Sequence, residues 1–472
     1  MSRQPDPVSP PVVTTIAGSD SGGGAGIQAD LKTIEAEGGF GTSVVTAVTA
    51  QHTRGVERTH MLPLEEIRAQ LAAVTDDFSL GAVKTGMLGT RSVVEFVTEQ
   101  ARSVQAPVVV DPVMVAASGD RLLNSAAEEA YQALLTEATV VTPNAPEAAV
   151  LTDVSVTDAE TARTAGEQLV AAGADAALVT GGHTADETVL DVLVTDADTT
   201  EFRHPRVGAD AVHGTGCALT AAVATRLAHG DTVTDAVSHG IKLLERAVQY
   251  PIAVGGGADV VHHAVGLRNR AECTTAVEAV RTLRDRLSDD VDAIARLVPA
   301  AGMSVVAATP YAEHTDECAA VEGRLARADD GVRAGEARLG ASTHAAQMLL
   351  SARTVTPGLR AGISCQFDET VEQAVSELGW TVTETDQPDG VQTEDGRTAG
   401  LTATATELTE ALDGEQPGQP SADSPLVVVG RGAGGTEPTG LVLTGSTEQL
   451  VTELSKLSQT VQDDIGHPTN TE

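Results

Sequence analysis

Between Val12 and about Gly266, short apolar runs alternate with amphipathic stretches. The runs are VVTTIAG (12–18), SVVTAVTA (43–50), LGAVKTG (80–86), APVVVDPV (106–113), ATVVTPN (138–144), AALVTGG (176–182) and VLDVLV (189–194). Strands this continuously apolar are covered by helices on both faces, and their alternation with helical stretches predicts an α/β fold on a central, mostly parallel sheet. A helix is expected from about Ala25 to Glu37. Val277, Val280, Leu283 and Leu287 recur at helical spacing, which predicts a helical connector over about 267–300. A second, smaller α/β unit follows over about 301–462. Its expected strands are MSVVAAT (303–309), LRAGISCQF (359–367) and PLVVVG (425–430), and its expected helix is ASTHAAQMLLSAR (341–353). The segment 386–424, rich in Gly, Pro, Asp, Glu and Thr, is expected to be a loop or flexible insertion with at most one short helix near 404–412. Residues 1–11 and 463–472 are expected to be tails.

Composition narrows the class. With 67 acidic against 30 basic residues the net charge is -37, and only Lys32, Lys84, Lys242 and Lys456 are lysines. Binding phosphate backbones needs a basic face, so this acidic balance disfavours a nucleic-acid partner. The same acidity in an Ala/Val/Thr-rich chain suits a salt-loaded cytoplasm, where carboxylates stay hydrated and their repulsion is screened. Cys217, Cys273, Cys318 and Cys365 form no C-x-x-C pair, so neither a zinc knuckle nor a disulfide framework follows. The polar, proline-rich start has no apolar signal core, and no run reaches membrane-spanning length; a cytoplasmic location is expected.

The stretch GGGAGIQAD (22–30) contains a literal G-x-G-x-x-A, the mark of a dinucleotide turn. Such a turn follows its strand directly and needs a ribose-binding acid at the end of the next strand. Here five residues intervene, and the second strand ends in Ala50-Gln51-His52. The alternative is a glycine loop that lets backbone close over a small substrate, with a following helix that aims Asp30 at the site.

TIAGSDSGGGAGIQADLKT with SVVTAVTAQHTRGV behind it, then KTGML (84–88), VVVDPVM (108–114), VTPNAPEA (141–148), GGH (181–183), HGTGCA (213–218) and VHH (261–263) together resemble the hydroxymethylpyrimidine and phosphomethylpyrimidine kinases, members of the ribokinase superfamily. The resemblance covers 12–266 and implies ATP and Mg2+ as cofactors, two successive phosphorylations of a pyrimidine, and a homodimer. It implies that Gly214, Thr215 and Gly216 form an anion hole at a helix N-terminus, with Cys217 as the base. A helix N-terminus is expected to lower that thiol's pKa; a small buried hydrophobe is the plainer reading of the residue. Asp111 and Glu147 would hold magnesium, though each alone reads equally as a turn or helix-start residue. Gln51, Asp30, Gly18 and Met87 would contact the pyrimidine, and Met87 could equally be core. Asn144, Thr180, Gly182, His213 and Lys242 would line the nucleotide. Thr180 departs from the family's usual lysine before GGH, so a phosphate-neutralising cation is missing unless Arg121, Lys242 or bulk cations replace it. Pyridoxal kinase is the alternative substrate class.

PYAEHTDECAAVEGRLARA (310–328), LGASTHAAQMLL (339–350) and GLRAGISCQF (358–367) resemble a thiamine-phosphate synthase domain, which implies thiazole phosphate or thiamine phosphate as ligand. Three expected basic positions are replaced, in 364–367, 385–388 and 434–437, leaving Glu322, Arg324 and His344 as candidate ligands; each could equally be a surface charge or a core histidine. Both an active synthase and a silent ligand-binding module remain open.

The acidity carries its own test. Thermal unfolding followed by circular dichroism should shift upward from dilute buffer to molar potassium chloride; an unchanged midpoint and activity would remove the salt-adaptation reading.

Overall fold

A computed structural model describes residues 8–114, 125–181, 188–207, 212–289, 294–328, 331–385, 422–430 and 438–466. The chain divides between Leu267 and Arg268 into two compact units. Among the described residues, no helix is long and apolar enough to cross a membrane.

The first unit is built on a nine-stranded sheet ordered β3-β2-β1-β4-β5-β6-β7-β8-β9. Its strands are β1 (Val12–Ser19), β2 (Phe40–His52), β3 (Gly55–Met61), β4 (Leu80–Thr85), β5 (Val108–Val110), β6 (Val140–Val141), β7 (Ala176–Val179), β8 (Thr188–Thr195) and β9 (Thr199–Pro205). The six strands from β2 to β7 run parallel to their neighbours. An antiparallel partner closes each side, β3 on β2 and the β8–β9 pair on β7. β5 shows why its run reads VVV: Val108 and Val110 enter one core with Val83, Phe96 and Tyr131, while Val109 enters another with Leu219, Val223 and Val237. Helices α1 (Gly26–Ala36), α7 (Thr215–Ala228) and α8 (Val233–Gln249) contribute to the second core; α2 (Leu64–Asp77), α3 (Arg91–Ala101) and α4 (Ser125–Leu135) contribute to the first. α5 (Ala145–Thr152) and α6 (Ala159–Ala171) cover β7 and β8 through Ala148, Ala162 and Ala165. The doubly covered parallel sheet is thus as expected. β3 and β9 carry no apolar run, since they lie at the edges with mostly exposed side chains, and periodicity misses them.

α9 (Val265–Asp289) carries the predicted helical stripe. Ala276, Val280, Leu283 and Leu287 enter the core of the second unit, so the stretch expected to connect belongs mainly to that unit's packing. The second unit's seven-stranded sheet is ordered β14-β11-β10-β15-β18-β17-β16. Its strands are β10 (Val305–Ala308), β11 (Cys318–Val321), β14 (Ala337–Leu339), β15 (Ala361–Gln366), β16 (Thr381–Thr385), β17 (Leu426–Gly430) and β18 (Thr439–Thr444); β12 (Ala326–Ala328) and β13 (Gly331–Arg333) form a separate ribbon. Among the described residues of this sheet, only β16 and β17 pair in parallel. Side chains alternate by strand geometry: Val305, Val427, Val429 and Val442 face α9, α11 (Glu369–Glu377) and α12 (Thr447–Gly466), while Val306, Leu426, Val428 and Leu443 face α10 (Thr343–Val355). α12 runs past the expected tail boundary at 463. Most of the segment 386–424, including the short helix expected near 404–412, lies outside the described residues.

Leu283 is 1% exposed within the second unit's core. Leu283→Ala should cost about 2–5 kcal/mol of that unit's stability, read by denaturant unfolding. An unchanged midpoint would mean that α9 is a linker after all.

Candidate functional site

Several of the residues singled out in the first unit lie at the carboxyl ends of the parallel strands, where order reverses between β1 and β4. Open α/β sheets form their ligand crevice there. Gly18 is the penultimate residue of β1, Lys84 lies near the end of β4, Asp111 follows β5, Asn144 follows β6 and Thr180 follows β7.

The electrostatic centre is Lys84. Ala82 faces the α7 and α8 side of the sheet, and Lys84, two residues on, shares that face. Its Nζ donates to Asp30 Oδ1 and Oδ2 of α1 at 3.0 and 3.1 Å and lies 3.8 Å from Asp111 Oδ2. Lys84 and Asp30 are both fully buried, and Thr15 Oγ1 donates to Asp30 Oδ2 at 2.5 Å. Burial opposes the Lys84 charge, but Asp30, Cys217 and Asp111 outweigh it and hold the ammonium above its ordinary pKa. Burial pushes Asp30 upward, against Lys84 and Thr15. Both oxygens of Asp30, expected against the pyrimidine, are engaged inside the protein, where Asp30 is the counter-ion of Lys84. Nothing in the spacing marks Lys84; a lysine inside an otherwise apolar run is the one signal that could have found it.

α7 opens at Gly214 with no side-chain cap, so the N–H groups of Thr215, Gly216 and Cys217 are available to an anion at the positive end of the helix. Gly214 has φ +93°, and a Cβ there would stand 2.0 Å from the Gly24 carbonyl oxygen, so the two glycine loops lock backbone to backbone. A Cβ at Gly216 would lie 4.0 Å from Asp111 Oδ2, which puts the helix start against that carboxylate. Thr220, one turn into α7, donates its hydroxyl to Gly216 O at 2.9 Å and lies close enough to Asp111 to favour its charged form. The Cys217 sulfur accepts from the Gly26 N–H, yet burial and then Asp30 and Asp111 push the thiol up to about 12, against Lys84 and that N–H. The expected lowering by the helix N-terminus is thus overturned. Desolvation beside two carboxylates exceeds a dipole that acts over one turn.

Asp111 and Glu147 are both buried and both raised, first by burial and then by a neighbouring carboxylate: Asp30 for Asp111, Asp111 for Glu147. Glu147 also completes a capping box. Asn144 Oδ1 accepts from the Glu147 N–H at 2.9 Å, and Glu147 Oε2 accepts from the Asn144 N–H at 3.1 Å. Its Oε1 accepts from Met114 N–H at 3.2 Å. The plain helix-start reading of Glu147 is therefore realised, and its burial near Asp111 adds to it. Asn144 and Thr180 meet in an isolated parallel bridge, and Thr180 N–H donates to Pro143 O at 2.9 Å. Lys242 is exposed on α8, with no hydrogen bond or ion pair among the described residues tying it to this cluster. Gly182 and Arg121 lie outside the described residues.

The glycine loop is organised by a residue that sequence reading passed over. The Asp20 carboxylate accepts from Gly22 N–H at 2.7 Å, Gly24 N–H at 3.0 Å and Ala25 N–H at 2.8 Å, and lies 3.3 Å from His213 Nε2. Burial works against its charge, but His213 and the N–H donors outweigh it and hold the carboxyl below its ordinary value. An acid at the head of a glycine run, able to anchor the run's N–H groups, was the available signal. Gln51 is half-buried, 3.3 Å from His213 Nε2 through its amide nitrogen, and accepts from Thr49 Oγ1 at 3.1 Å. Met87 is buried, and a Cβ at Gly18 would meet its methyl at 2.9 Å, so these two expected pocket residues touch.

In the second unit, Glu322 pairs with Arg338 at 3.1 Å on the surface. Arg324 donates to Ala301 O at 3.3 Å. His344, near the start of α10, is exposed; partial desolvation and then Arg324 hold its pKa below the ordinary value, so these two side chains lie within electrostatic reach. Two further arginines are taken by backbone. Arg353 donates to the carbonyls of Thr309, Pro310 and Ala312 at 3.2, 2.8 and 3.1 Å, and Arg360 donates to Pro310 O at 2.7 Å.

Residues 20–262 match the family model described as phosphomethylpyrimidine kinase, and residues 279–456 match the one described as thiamine-phosphate synthase ThiN. The hydroxymethylpyrimidine/phosphomethylpyrimidine kinase of Streptomyces coelicolor is 47% identical over 56% of this chain and 98% of its own length. The thiamine biosynthesis bifunctional protein ThiED of Geobacter sulfurreducens is 41% identical over 53% of this chain and 52% of its own. Among solved structures, an ADP complex of Bacillus subtilis pyridoxal kinase superposes with a TM-score of 0.52 at 31% identity, covering 55% of this chain and 99% of that one. The dinucleotide reading of the glycine run falls with this match: the chain belongs to the phosphomethylpyrimidine kinase family, with a ThiN domain following the kinase domain.

Proposed function

We propose that the first unit transfers the γ-phosphoryl group of ATP to the hydroxymethyl group of 4-amino-5-hydroxymethyl-2-methylpyrimidine, and then phosphorylates the resulting monophosphate. The observation that carries this reading is the meeting of the uncapped α7 N-terminus with Asp111, Cys217 and the buried Lys84 at one crevice. Phosphoryl transfer asks mainly for positioning and charge stabilisation. The N–H groups of Thr215 to Cys217 would bind the equatorial phosphoryl oxygens, which gain charge as the bond to the leaving oxygen lengthens.

Two buried carboxylates raised by burial and by neighbouring charge fit a divalent cation, which would relieve that charge. Magnesium commonly takes one or two carboxylates and fills its other positions with water and phosphate oxygens. Asp111 and Glu147 would hold it; bound there, it would neutralise phosphate charge, a role for which Thr180 supplies no cation.

To act as the base, Cys217 would first release its own proton to solvent, leaving a thiolate that Lys84 stabilises. The thiolate would then take the hydroxymethyl proton as that oxygen bonds to phosphorus, and return to the thiol. Gln51 would read the pyrimidine edge beside Met87 and Gly18. The pyridoxal alternative rests on the pyridoxal kinase fold match; the pyrimidine kinase relative at 47% identity favours the pyrimidine.

For the second unit we propose a silent, ligand-binding form of thiamine-phosphate synthase that senses thiamine phosphate through Arg324 and His344. A departing pyrophosphate needs cations around it. Arg353 and Arg360 are spent on carbonyls, and the basic positions expected in 364–367 are Ser, Cys, Gln and Phe.

Incubating the full chain with the pyrimidine, Mg-ATP and hydroxyethylthiazole phosphate should yield the pyrimidine mono- and diphosphates without thiamine phosphate, as read by mass spectrometry. Thiamine phosphate would show an active second unit, and untouched pyrimidine would redirect the first unit to pyridoxal. Cys217→Ala should fold normally and lose turnover by about a hundredfold or more. Near wild-type turnover would take the thiol out of the mechanism.

A further inference from the structure

The β2–β3 hairpin carries Gln51, and its turn is Thr53-Arg54. β3 is the edge strand, and much of it is exposed, so the sheet alone holds the hairpin tip weakly. The segment from Ile252 to Val261, after α8, grips that tip. Gly257 N–H donates to Thr53 Oγ1 at 3.0 Å, Ala258 N–H donates to Thr53 O at 3.1 Å, and Arg54 Nε donates to Gly256 O at 3.0 Å. The approach is close enough that a Cβ on Gly257 would stand 2.1 Å from Thr53 O.

The same segment reaches the phosphate cradle at its other end. His213 N–H donates to Asp259 O at 2.8 Å, and Val261 N–H donates to His213 O at 3.2 Å. Ile252 and Val260 exchange backbone hydrogen bonds at 2.8 and 3.1 Å, which closes the segment into a loop. His213 immediately precedes Gly214, and its ring meets the Gln51 amide. One short strap therefore holds both the residue before the anion hole and the turn two residues beyond Gln51. Ser21 adds a clasp from the glycine loop, bonding both the N–H and the carbonyl of Gln51 at 2.8 Å.

We propose that this strap sets the distance between the pyrimidine-reading amide and the phosphate cradle, with Thr53 as the positioning residue through which it acts on Gln51. The proposal rests on the pyrimidine kinase reading above. A strap with only a stability role would, when loosened, disturb both substrates alike or neither. A positioning strap disturbs the substrate that Gln51 reads.

The test uses the full chain with Thr53→Ala, Gly257→Val and the conservative Thr53→Ser, each checked for folding by its thermal midpoint. KM is measured for the pyrimidine and for ATP, together with trypsin cleavage after Arg54. Thr53→Ala and Gly257→Val should raise the pyrimidine KM by about tenfold, the scale of one lost hydrogen bond, and leave the ATP KM within about twofold. Both should speed cleavage at Arg54, and Thr53→Ser should restore wild-type values. Equal shifts in both KM values, or a pyrimidine KM unchanged despite faster cleavage, would overturn the proposal and leave the kinase reading standing. A wild-type chain that leaves the pyrimidine untouched would overturn the kinase reading and the strap's role with it. Should Gly257→Val fail to fold, the two Thr53 variants decide alone.

Discussion

A lysine ammonium with no exposure to water is the constraint around which the first unit's site is arranged. Isolated, such a charge would lose its proton or unfold its surroundings. Lys84 keeps it because Asp30 meets it with both oxygens and Asp111 stands at 3.8 Å. Those partners come from a helix and from the end of another strand, so the pair ties α1, β4 and β5 together at the crevice. The same ammonium also lies close enough to Cys217 to lower the cost of a thiolate there. Removing either member of such a pair typically costs about 3–5 kcal/mol, whereas replacing both by apolar groups can be neutral. A pair with that property is weak as a source of stability; its location beside the anion hole gives it a chemical use.

The remaining parts follow from backbone geometry more than from side chains. The carboxyl ends of the parallel strands deliver Asp111, Asn144 and Thr180 to one edge, the capping box of α5 fixes Glu147, and the lock between Gly24 and Gly214 seats the glycine loop against the start of α7. The second unit uses its charges differently. Its buried arginine binds main-chain carbonyls, and the Asn269 side chain accepts from Thr309 and donates to Glu317 at 2.6 Å. These contacts stabilise the turn after β10 and leave fewer cations for a pyrophosphate.

What the sequence disclosed and what it hid divide along physical lines. Strands buried on both faces write themselves as unbroken apolar runs, so β1, β4, β5 and β7 were visible; β3 and β9, exposed at the edges, were not. Motif blocks located Asp111, Cys217 and the start of α7. Asp30 was assigned to the substrate because its helix position aims it at the crevice, but the lysine that claims it comes from a strand 54 residues later. Cys217 was expected to be acidic from local helix geometry, and the desolvation that reverses this depends on three elements at once. Asp20 escaped notice because its partners are backbone N–H groups, which no residue pattern displays.

The most direct test of the Lys84 pair is the turnover and unfolding free energy of Lys84→Met, Asp30→Asn and the double variant measured together. The expected result is that each single variant loses both stability and turnover, and that the double variant recovers most of the stability while turnover stays low. A double variant with wild-type turnover would show that the buried ion pair only packs the core and that phosphoryl transfer does not depend on it.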